Sequence, residues 1–215
     1  MATHAPARLE RAAGLHGIYA ILGEEPRVLE QTRAILGGGV RIVQYRAKSG
    51  IVAETLRQLR EITREHGALL IVNDDWRAAR DFDCDGAHLG PGDDGFADVA
   101  RVRAAMPERL IGLSCGTLAE VQRANAGDVD YIGAGCVFAT RSKGDAGAPI
   151  GIDGLRRLAR AATPPVAAIG GIDLARLAEV RATGVAMAAL ISALANADEP
   201  GRSARELVVC WDGGA

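Results

Sequence analysis

The sequence lacks the features that mark nucleic-acid-binding and membrane proteins. Its 25 basic and 27 acidic residues give a formal net charge of −2, whereas proteins that bind nucleic acids or membrane surfaces usually carry a basic excess. It contains no run of about 18 uninterrupted apolar residues, so no membrane-spanning helix is predicted. Residues 1–13 also lack the apolar core of a signal peptide. We therefore expect no nucleic-acid partner, no membrane partner and no export.

The sequence has few cysteines, and they form no cofactor or metal motif. Cys84, Cys115, Cys136 and Cys210 are widely spaced, without a C-x-x-C pair. Such pairs are the usual signal of a zinc knuckle or a redox centre. We interpret the four residues as reduced thiols, as expected for a cytoplasmic protein.

Short apolar segments that alternate with helical patterns fill the chain from end to end. The 215 residues are 48% hydrophobic, and no linker divides them, which indicates one domain. Alternation of β-rich runs with Ala-, Leu- and Arg-rich helical patterns is typical of α/β proteins. The predicted strands are residues 17–22, 40–46, 68–73, 86–89, 110–114, 131–135, 166–169 and 185–191.

Eight such units favour closure into a single-domain (β/α)8 TIM barrel. Several strands, such as residues 69–72, are continuous apolar runs, as expected for parallel strands covered by helices. The alternative is an open doubly wound sheet, but no G-x-G-x-x-G follows the first strand. We predict a flexible N-terminal segment over residues 1–13, a barrel over 14–211 and a frayed tail over 212–215.

The second strand indicates where the barrel binds its ligand. Its even positions change from apolar Val40 and Ile42 to polar Gln44 and then to cationic Arg46 and Lys48. Alternate residues of a strand share a face, and buried charges without partners are costly. The pattern therefore indicates a wet pocket for a polyanion. The alternative is an edge strand with two solvated charges.

Polar residues follow the other strands at the same end, which is where a TIM barrel carries its chemistry. Arg, Lys, Thr and Ser side chains in this set supply positive charge and hydroxyl donors suited to phosphate oxygens. A pair of glycines after the seventh strand is followed by a helical pattern, so its N–H groups could bind a second phosphate; a plain turn is the alternative. The candidate site residues are Gln44, Arg46, Lys48, Asn73, Asp74, Asp93, Ser114, Thr140, Ser142, Lys143, Gly171, Ile191 and Ser192.

Two carboxylates stand among these cations. Asp74 and Asp93 would repel a phosphate unless a hard cation lay between them, and Mg2+ is commonly held by one or two carboxylates plus phosphate oxygens. Taken singly, each is better explained as a helix N-cap, Asp74 before Trp76 and Asp93 before Phe96. Their joint position beside Asn73 and the cations favours a metal site. His88, inside the fourth strand, is interpreted as a core residue.

Six segments, in the same order, resemble the thiamine-phosphate synthase family over nearly the whole chain. Together they are far more specific than any one of them. They are VQYRAK (43–48), IVND (71–74), DGAHLGPGD (85–93), IGLS (111–114), YIGAGCVFATRSK (131–143) and AIGGI (168–172).

The resemblance implies a Mg2+-dependent transferase of thiamine biosynthesis. In that reaction hydroxymethylpyrimidine diphosphate loses pyrophosphate, and the thiazole nitrogen of hydroxyethylthiazole phosphate captures the resulting pyrimidine methyl cation. No side-chain nucleophile is required. The two substrates are the implied small-molecule partners, and the chain is compatible with a homo-oligomer.

The resemblance also implies roles for individual residues. The diphosphate would be held by Arg46, Lys48, Asn73 and Lys143. Mg2+ would be held by Asp74 and Asp93. The pyrimidine would be faced by Gln44 and Ser114. The thiazole phosphate or the departing diphosphate would be contacted by Thr140, Ser142, Gly171, Ile191 and Ser192. The catalytic residues among these would be Arg46, Lys48, Ser114 and Lys143.

The chain departs from the family pattern at Pro91, Gly92, Cys136 and Ala139. A related barrel, the thiazole tautomerase, shares the scaffold but lacks the Asp pair and places a catalytic His where Cys136 stands, so this chain sides with the synthase. Two further alternatives are a sugar-phosphate isomerase or aldolase with Lys48 or Lys143 as an amine nucleophile, and a non-catalytic barrel that binds thiamine precursors.

Overall fold

The computed structural model describes residues 5–140 and 147–213, which form a closed parallel barrel. Its strands pair in chain order, and the eighth returns to pair with the first. The predicted (β/α)8 barrel is therefore confirmed. The strands are β1 Gly17–Leu22, β2 Ile42–Tyr45, β3 Leu69–Asn73, β4 Gly86–Leu89, β5 Leu110–Cys115, β6 Tyr131–Gly135, β7 Val166–Ile169 and β8 Met187–Leu190.

Helices follow the strands and cover the outside of the barrel. They are α1 Ala5–Ala13, α2 Val28–Gly37, α3 Ala53–Glu65, α4 Trp76–Asp81, α5 Val99–Ala105, α6 Leu118–Ala126, α7 Gly151–Ala161, α8 Leu174–Arg181, α9 Ser192–Ala195 and α10 Pro200–Asp212. Within the described residues, none of these helices combines the length and apolar character that a membrane span requires.

Strand side chains alternate between two buried layers, which explains the continuous apolar runs. On β1, Ile18, Ala20 and Leu22 pack outward in the cluster shared with the helices, whereas Tyr19 and Ile21 point into the barrel. Because both faces are buried, polar residues on the inner face must find partners there. The inner cluster consists of Leu15, Tyr19, Ile21, Ile42, Ile71, Leu110, Tyr131, Ala167, Met187 and Ala189.

The N-terminal segment that is predicted to be flexible is helical over Ala5–Ala13. Arg8 Nε lies 2.6 Å from Asp130 Oδ1, and Arg11 Nε lies 3.1 Å from Asp85 Oδ1. Asp85 and Asp130 stand immediately before β4 and β6, at the amino ends of the strands. Helix α1 is thus fixed to the end of the barrel opposite the predicted site.

Asp85 also joins neighbouring elements at that end. Its carboxylate lies 2.7 Å from Arg60 Nη1 and accepts a hydrogen bond of 2.9 Å from Leu70 N. Asp130 makes the equivalent bond to Ile111 N, at 2.7 Å. Both carboxylates are buried, so these ion pairs have a structural function at the amino end of the barrel.

Candidate active site

The carboxyl ends of the strands surround a pocket of about 940 Å³, which is large enough for a small-molecule ligand. Every predicted site residue that the structure describes lines this pocket: Gln44, Arg46, Lys48, Asn73, Asp74, Asp93, Ser114, Thr140, Gly171, Ile191 and Ser192. The other two, Ser142 and Lys143, lie outside the described residues.

Two cations from the end of β2 face this pocket. Arg46 continues the ladder through a 2.8 Å hydrogen bond from its N–H to the Leu22 carbonyl, so its side chain shares a face with Gln44. The Glu24 carboxylate fixes the following loop by accepting a 3.1 Å bond from the backbone N–H of Lys48. Over residues 5–140 and 147–213, neither the Arg46 guanidinium nor the Lys48 ammonium has an ion-pair partner. These charges can therefore act on an anion.

Neither Asp74 nor Asp93 is a helix cap, so the alternative explanation of these residues is wrong. Asp75 caps α4, accepting a 2.9 Å bond from Ala78 N, and Asp98 caps α5. Asp74 has a φ of +65°, a conformation uncommon for a residue other than glycine. Both carboxylates line the pocket.

Asp93 closes its own loop as well. Its Oδ2 accepts a 2.6 Å bond from the N–H of Gly90. A Cβ added at Gly90 would lie 3.3 Å from Asp93 Oδ2, which is a tight contact, and 3.6 Å from Ser114 Oγ, which is an ordinary one, so the loop lies next to Ser114 and a side chain at Gly90 would press on Asp93.

The donor set of Asp74 and Asp93 fits a hard divalent cation. Carboxylate oxygens are typical Mg2+ ligands. In the described part of the chain no third His, Cys, Asp or Glu joins the pair to form a metal-binding group. A bound ion would therefore take its remaining ligands from phosphate oxygens and water.

Asp94 connects the loop that carries Asp93 to the helix that follows Asp74. Its Oδ2 accepts a 3.2 Å hydrogen bond from Trp76 Nε1. Ion pairs with Arg101 and Arg77 complete the contact, and their hydrogen bonds lower the pKa of Asp94 to about 2. The carboxylate thus remains charged at neutral pH and holds the two loops together.

A chain of buried hydrogen bonds crosses the floor of the pocket. Gln44 Nε2 donates to the Tyr19 hydroxyl at 2.7 Å, and this hydroxyl lies 2.9 Å from that of Tyr131. The Tyr131 hydroxyl lies 3.2 Å from His88 Nδ1, and His88 Nε2 lies 3.1 Å from Ser114 Oγ. Burial raises the pKa values of both tyrosines, so both phenols keep their protons.

Tyr19 and Tyr131 are not among the residues predicted for the site, and His88 is predicted to be a core residue. The available signal was strand alternation, which places Tyr19 on the same inner face as Ile21. Gly112 makes room for the cluster, because an added Cβ would overlap the Tyr131 ring and lie 2.6 Å from His88 Nδ1. The residues that cross the barrel depend on its closure, which no local pattern encodes.

Gly170 and Gly171 form the loop after β7, on the opposite side of the pocket. Both have positive φ angles. A Cβ at Gly170 would lie 2.6 Å from Cys136 Cβ, and one at Gly171 would lie 2.7 Å from the Ala139 carbonyl oxygen. The two glycines therefore serve close packing against the end of β6, whatever else they bind. An adjoining cavity of about 540 Å³ extends between Thr140, Gly171 and Ser192.

Cys136 is engaged by the backbone. Its Sγ donates to the Phe138 carbonyl at 3.2 Å, and the side chain is buried. This thiol thus has a packing function in the β6 loop.

Comparisons with known proteins agree on one family. The family model described as thiamine monophosphate synthase matches residues 18–194. The chain is 41% identical over 189 residues to the thiamine-phosphate synthase of Moorella thermoacetica, covering 86% of this chain and 89% of that protein. It is 44% identical over 183 residues to that of Herpetosiphon aurantiacus, covering 84% and 87%. The structure of thiamine phosphate pyrophosphorylase from Pyrococcus furiosus superimposes with a TM-score of 0.80 at 34% identity, covering 90% of this chain and 94% of that chain.

Proposed function

The chain belongs to the thiamine-phosphate synthase family, and we propose that its pocket carries out the family reaction with the residues described above. The reaction joins hydroxymethylpyrimidine diphosphate to hydroxyethylthiazole phosphate and yields thiamine phosphate and pyrophosphate. The enzyme is thus a transferase of thiamine biosynthesis with two small-molecule substrates.

The observation that carries the residue assignment is the contrast of charges at the pocket mouth. Arg46 and Lys48 face the pocket without ion-pair partners in the described part of the chain, and Asp74 and Asp93 line the same pocket without capping a helix. A diphosphate with a divalent cation satisfies both sets of charges. Helix capping accounts for neither carboxylate.

The proposed reaction breaks one bond and forms one. The C–O bond between the pyrimidine methylene carbon and the diphosphate breaks, and its electron pair leaves with pyrophosphate. The thiazole nitrogen then donates its lone pair to the methylene cation and forms the C–N bond. Arg46, Lys48, Asn73 and Lys143 stabilise the charge that develops on the leaving group. Gln44 and Ser114 orient the pyrimidine, and holding the two substrates close supplies the rest of the catalysis.

We assign Asp74 and Asp93 to Mg2+, which when bound would supply positive charge to the leaving diphosphate. Thr140, Ser142, Gly171, Ile191 and Ser192 are assigned to the thiazole phosphate or the departing diphosphate. The cavity between Thr140, Gly171 and Ser192 supports this assignment, because it shares these three residues with the main pocket.

The other candidate functions are less well supported. The thiazole tautomerase alternative needs an acid or base at position 136, and the Cys136 thiol is engaged with a backbone carbonyl. The isomerase and aldolase alternatives need a Lys amine nucleophile and leave the Asp pair without a function. A non-catalytic binding protein would bind the substrates and release no pyrophosphate.

Pyrophosphate release tests the proposal directly. The purified protein should release pyrophosphate when both substrates and Mg2+ are present, and much less when the thiazole phosphate or Mg2+ is omitted. Substrate binding without release would establish the non-catalytic alternative. Borohydride trapping of a carbonyl substrate on the protein would establish the Schiff-base alternative.

We also propose that residues 14–211 are the catalytic domain and that the enzyme acts in the cytoplasm. The barrel runs from β1 at Gly17 to α10, which ends at Asp212. The four cysteines are free thiols, which is typical of a reducing compartment. Fractionation of cells, with immunodetection of the protein, tests the location.

A further inference from the structure

The hydrogen bonds on the pocket floor form a continuous chain between the two residues assigned to the pyrimidine. Gln44 and Ser114 stand at its ends, and Tyr19, Tyr131 and His88 lie between them. Gln44, Tyr19 and Tyr131 are each 2% exposed or less. Water therefore cannot easily replace a missing partner in the middle of the chain.

Each tyrosine hydroxyl has one proton to donate, which restricts the possible directions of the hydrogen bonds on the pocket floor. The Tyr131 proton goes either to His88 Nδ1 or to the Tyr19 oxygen. If it goes to His88, the Tyr19 proton goes to Tyr131, and Gln44 donates to Tyr19 through its Nε2. With a neutral His88, any other combination leaves two lone pairs facing each other or two protons between a pair of oxygens.

We call the arrangement in which Tyr131 donates to His88 the forward order. It determines which hydrogen-bonding groups Gln44 and Ser114 present to a ligand. His88 accepts at Nδ1, so its proton is on Nε2 and is donated to Ser114 Oγ. Ser114 is then left to donate its own proton into the pocket. Gln44 directs one N–H of its Nε2 to Tyr19, so the amide is oriented with Oε1 turned away from Tyr19 as the acceptor. The pocket thus presents an acceptor at Gln44 and a donor at Ser114.

The reverse order exchanges both ends together. The proton of His88 is then on Nδ1 and is donated to Tyr131, which donates to Tyr19, which donates to a rotated Gln44 amide. Ser114 now donates to His88 and presents its oxygen to the pocket, and Gln44 presents its Nε2. While His88 is neutral, the two ends cannot change separately without leaving a buried group unpaired.

We propose that Tyr19, Tyr131 and His88 are specificity-determining positioning residues that couple Gln44 to Ser114, so that the pocket selects a ligand edge with one donor and one acceptor. The inference rests on the proposed function, in which the ligand is an aminopyrimidine. Its amino group donates, which suits Gln44 Oε1, and its ring nitrogen accepts, which suits Ser114. A ligand edge with two acceptors would require donors at both Gln44 and Ser114, which combines one end of the forward order with one end of the reverse order.

The ligand arm of the test compares two pyrimidine diphosphates by calorimetry, with Mg2+ and without thiazole phosphate. One carries the 4-amino group, and the other carries a 4-methoxy group, which presents two acceptors. We expect the wild type to prefer the amino compound by about 10- to 100-fold, the effect of one unpaired buried polar group. In Tyr131→Phe the ends are uncoupled, and the preference should fall below about threefold.

The third tyrosine of the protein, Tyr45, provides a matched control. Tyr45 is buried on the outer face of β2, in the cluster shared with the helices, and has no place in the hydrogen-bonded chain. Tyr45→Phe should keep the wild-type preference. Tyr19→Phe is the second test variant, for use if Tyr131→Phe fails to fold as judged by thermal unfolding. An amino preference that is equal in wild type and Tyr131→Phe would overturn the proposal.

The second arm needs no ligand. The ¹⁵N NMR signals of the His88 ring, assigned with His88→Gln, report which nitrogen carries the proton. Tyr131→Phe should shift the Nδ1 signal, and Tyr45→Phe should leave it unchanged. An unchanged His88 signal in Tyr131→Phe would also overturn the proposal. If the wild type binds neither pyrimidine, the proposed function fails, and this arm still reports whether Tyr131 sets the position of the His88 proton.

Discussion

Asp93→Asn separates the metal assignment of Asp93 from its function in the loop. The asparagine keeps an oxygen that can accept the 2.6 Å bond from Gly90 N, so the loop should remain closed. The substitution removes one negative charge from the wet pocket mouth. A unit charge 4 Å from another is worth about 1 kcal/mol in water, hence about 2 kcal/mol for a divalent ion. The Mg2+ concentration for half-maximal activity should therefore rise about 30-fold.

The assay is a Mg2+ titration of pyrophosphate release, with thermal unfolding as the measure of stability. The free energy of unfolding should change by less than about 0.5 kcal/mol. Binding of thiazole phosphate should stay nearly unchanged, because that ligand is assigned to the loops after β7 and β8. Asp98→Asn is the matched control, since asparagine caps a helix about as well as aspartate. It should alter neither quantity.

Wild-type Mg2+ dependence in Asp93→Asn would refute the assignment of Asp93 to the metal. Asp93→Ala would then be the deciding variant, because it removes the bond to Gly90 as well as the charge. Loss of stability in Asp93→Ala, with an unchanged Mg2+ requirement in both variants, would leave Asp93 as a loop-closing residue only. The departure at Pro91 and Gly92 would then mark a chain that binds its metal through other groups.

Three further predictions concern the cations, the loop contact and the amino end of the barrel. Lys143→Ala and Arg46→Ala should each lower kcat about 10²- to 10³-fold, because each removes a group that stabilises the leaving diphosphate; a kcat within threefold of wild type would exclude the residue from that function. Asp94→Asn should weaken Mn2+ binding about 10-fold, as for other residues that orient metal ligands. Calorimetry with Mn2+ measures the affinity. An unchanged affinity would give the contact of Asp94 with Trp76 a purely structural function. Asp85→Ala should lower the free energy of unfolding by about 3–5 kcal/mol in chemical denaturation, because it leaves Arg60 buried and unpaired; a loss below 1 kcal/mol would contradict this.

The fold could be predicted because each strand carries a strong local signal. Apolar runs bounded by turn residues predicted β1, β4, β6 and β7 with the bounds that the structure shows. The ends of β2 and β8 were predicted too long. In both cases apolar residues adjoin the paired segment, Val40 before β2 and Val185, Ala186 and Ile191 around β8, so composition alone does not show where pairing begins and stops.

Helix α1 could not be predicted because its stability comes from distant partners. Its own sequence is short and Ala-rich, and an isolated helix of nine residues is marginal in water. Arg8 and Arg11 find their carboxylates at Asp130 and Asp85, more than 70 residues away. Only the closed barrel brings those carboxylates together at one end.

The candidate site could be predicted as a set of residue types at strand ends, because parallel strands place their carboxyl ends together. Which of two neighbouring aspartates caps a helix could not be predicted. Asp74 and Asp75 differ by one position, and the left-handed φ of Asp74 determines that Asp75 reaches Ala78 N. That conformation leaves the Asp74 carboxylate in the pocket.

Both ends of the barrel carry charged side chains, but the two ends differ in how these charges are paired. At the amino end, Asp85 and Asp130 are each held by two arginines and by a backbone N–H of the neighbouring strand. Such fully paired, buried carboxylates have no affinity left for a ligand. At the carboxyl end, Arg46 and Lys48 have no ion-pair partner among the described residues. These cations remain available to an anion, so we expect substrate binding to supply there the stabilisation that folding supplies at the amino end.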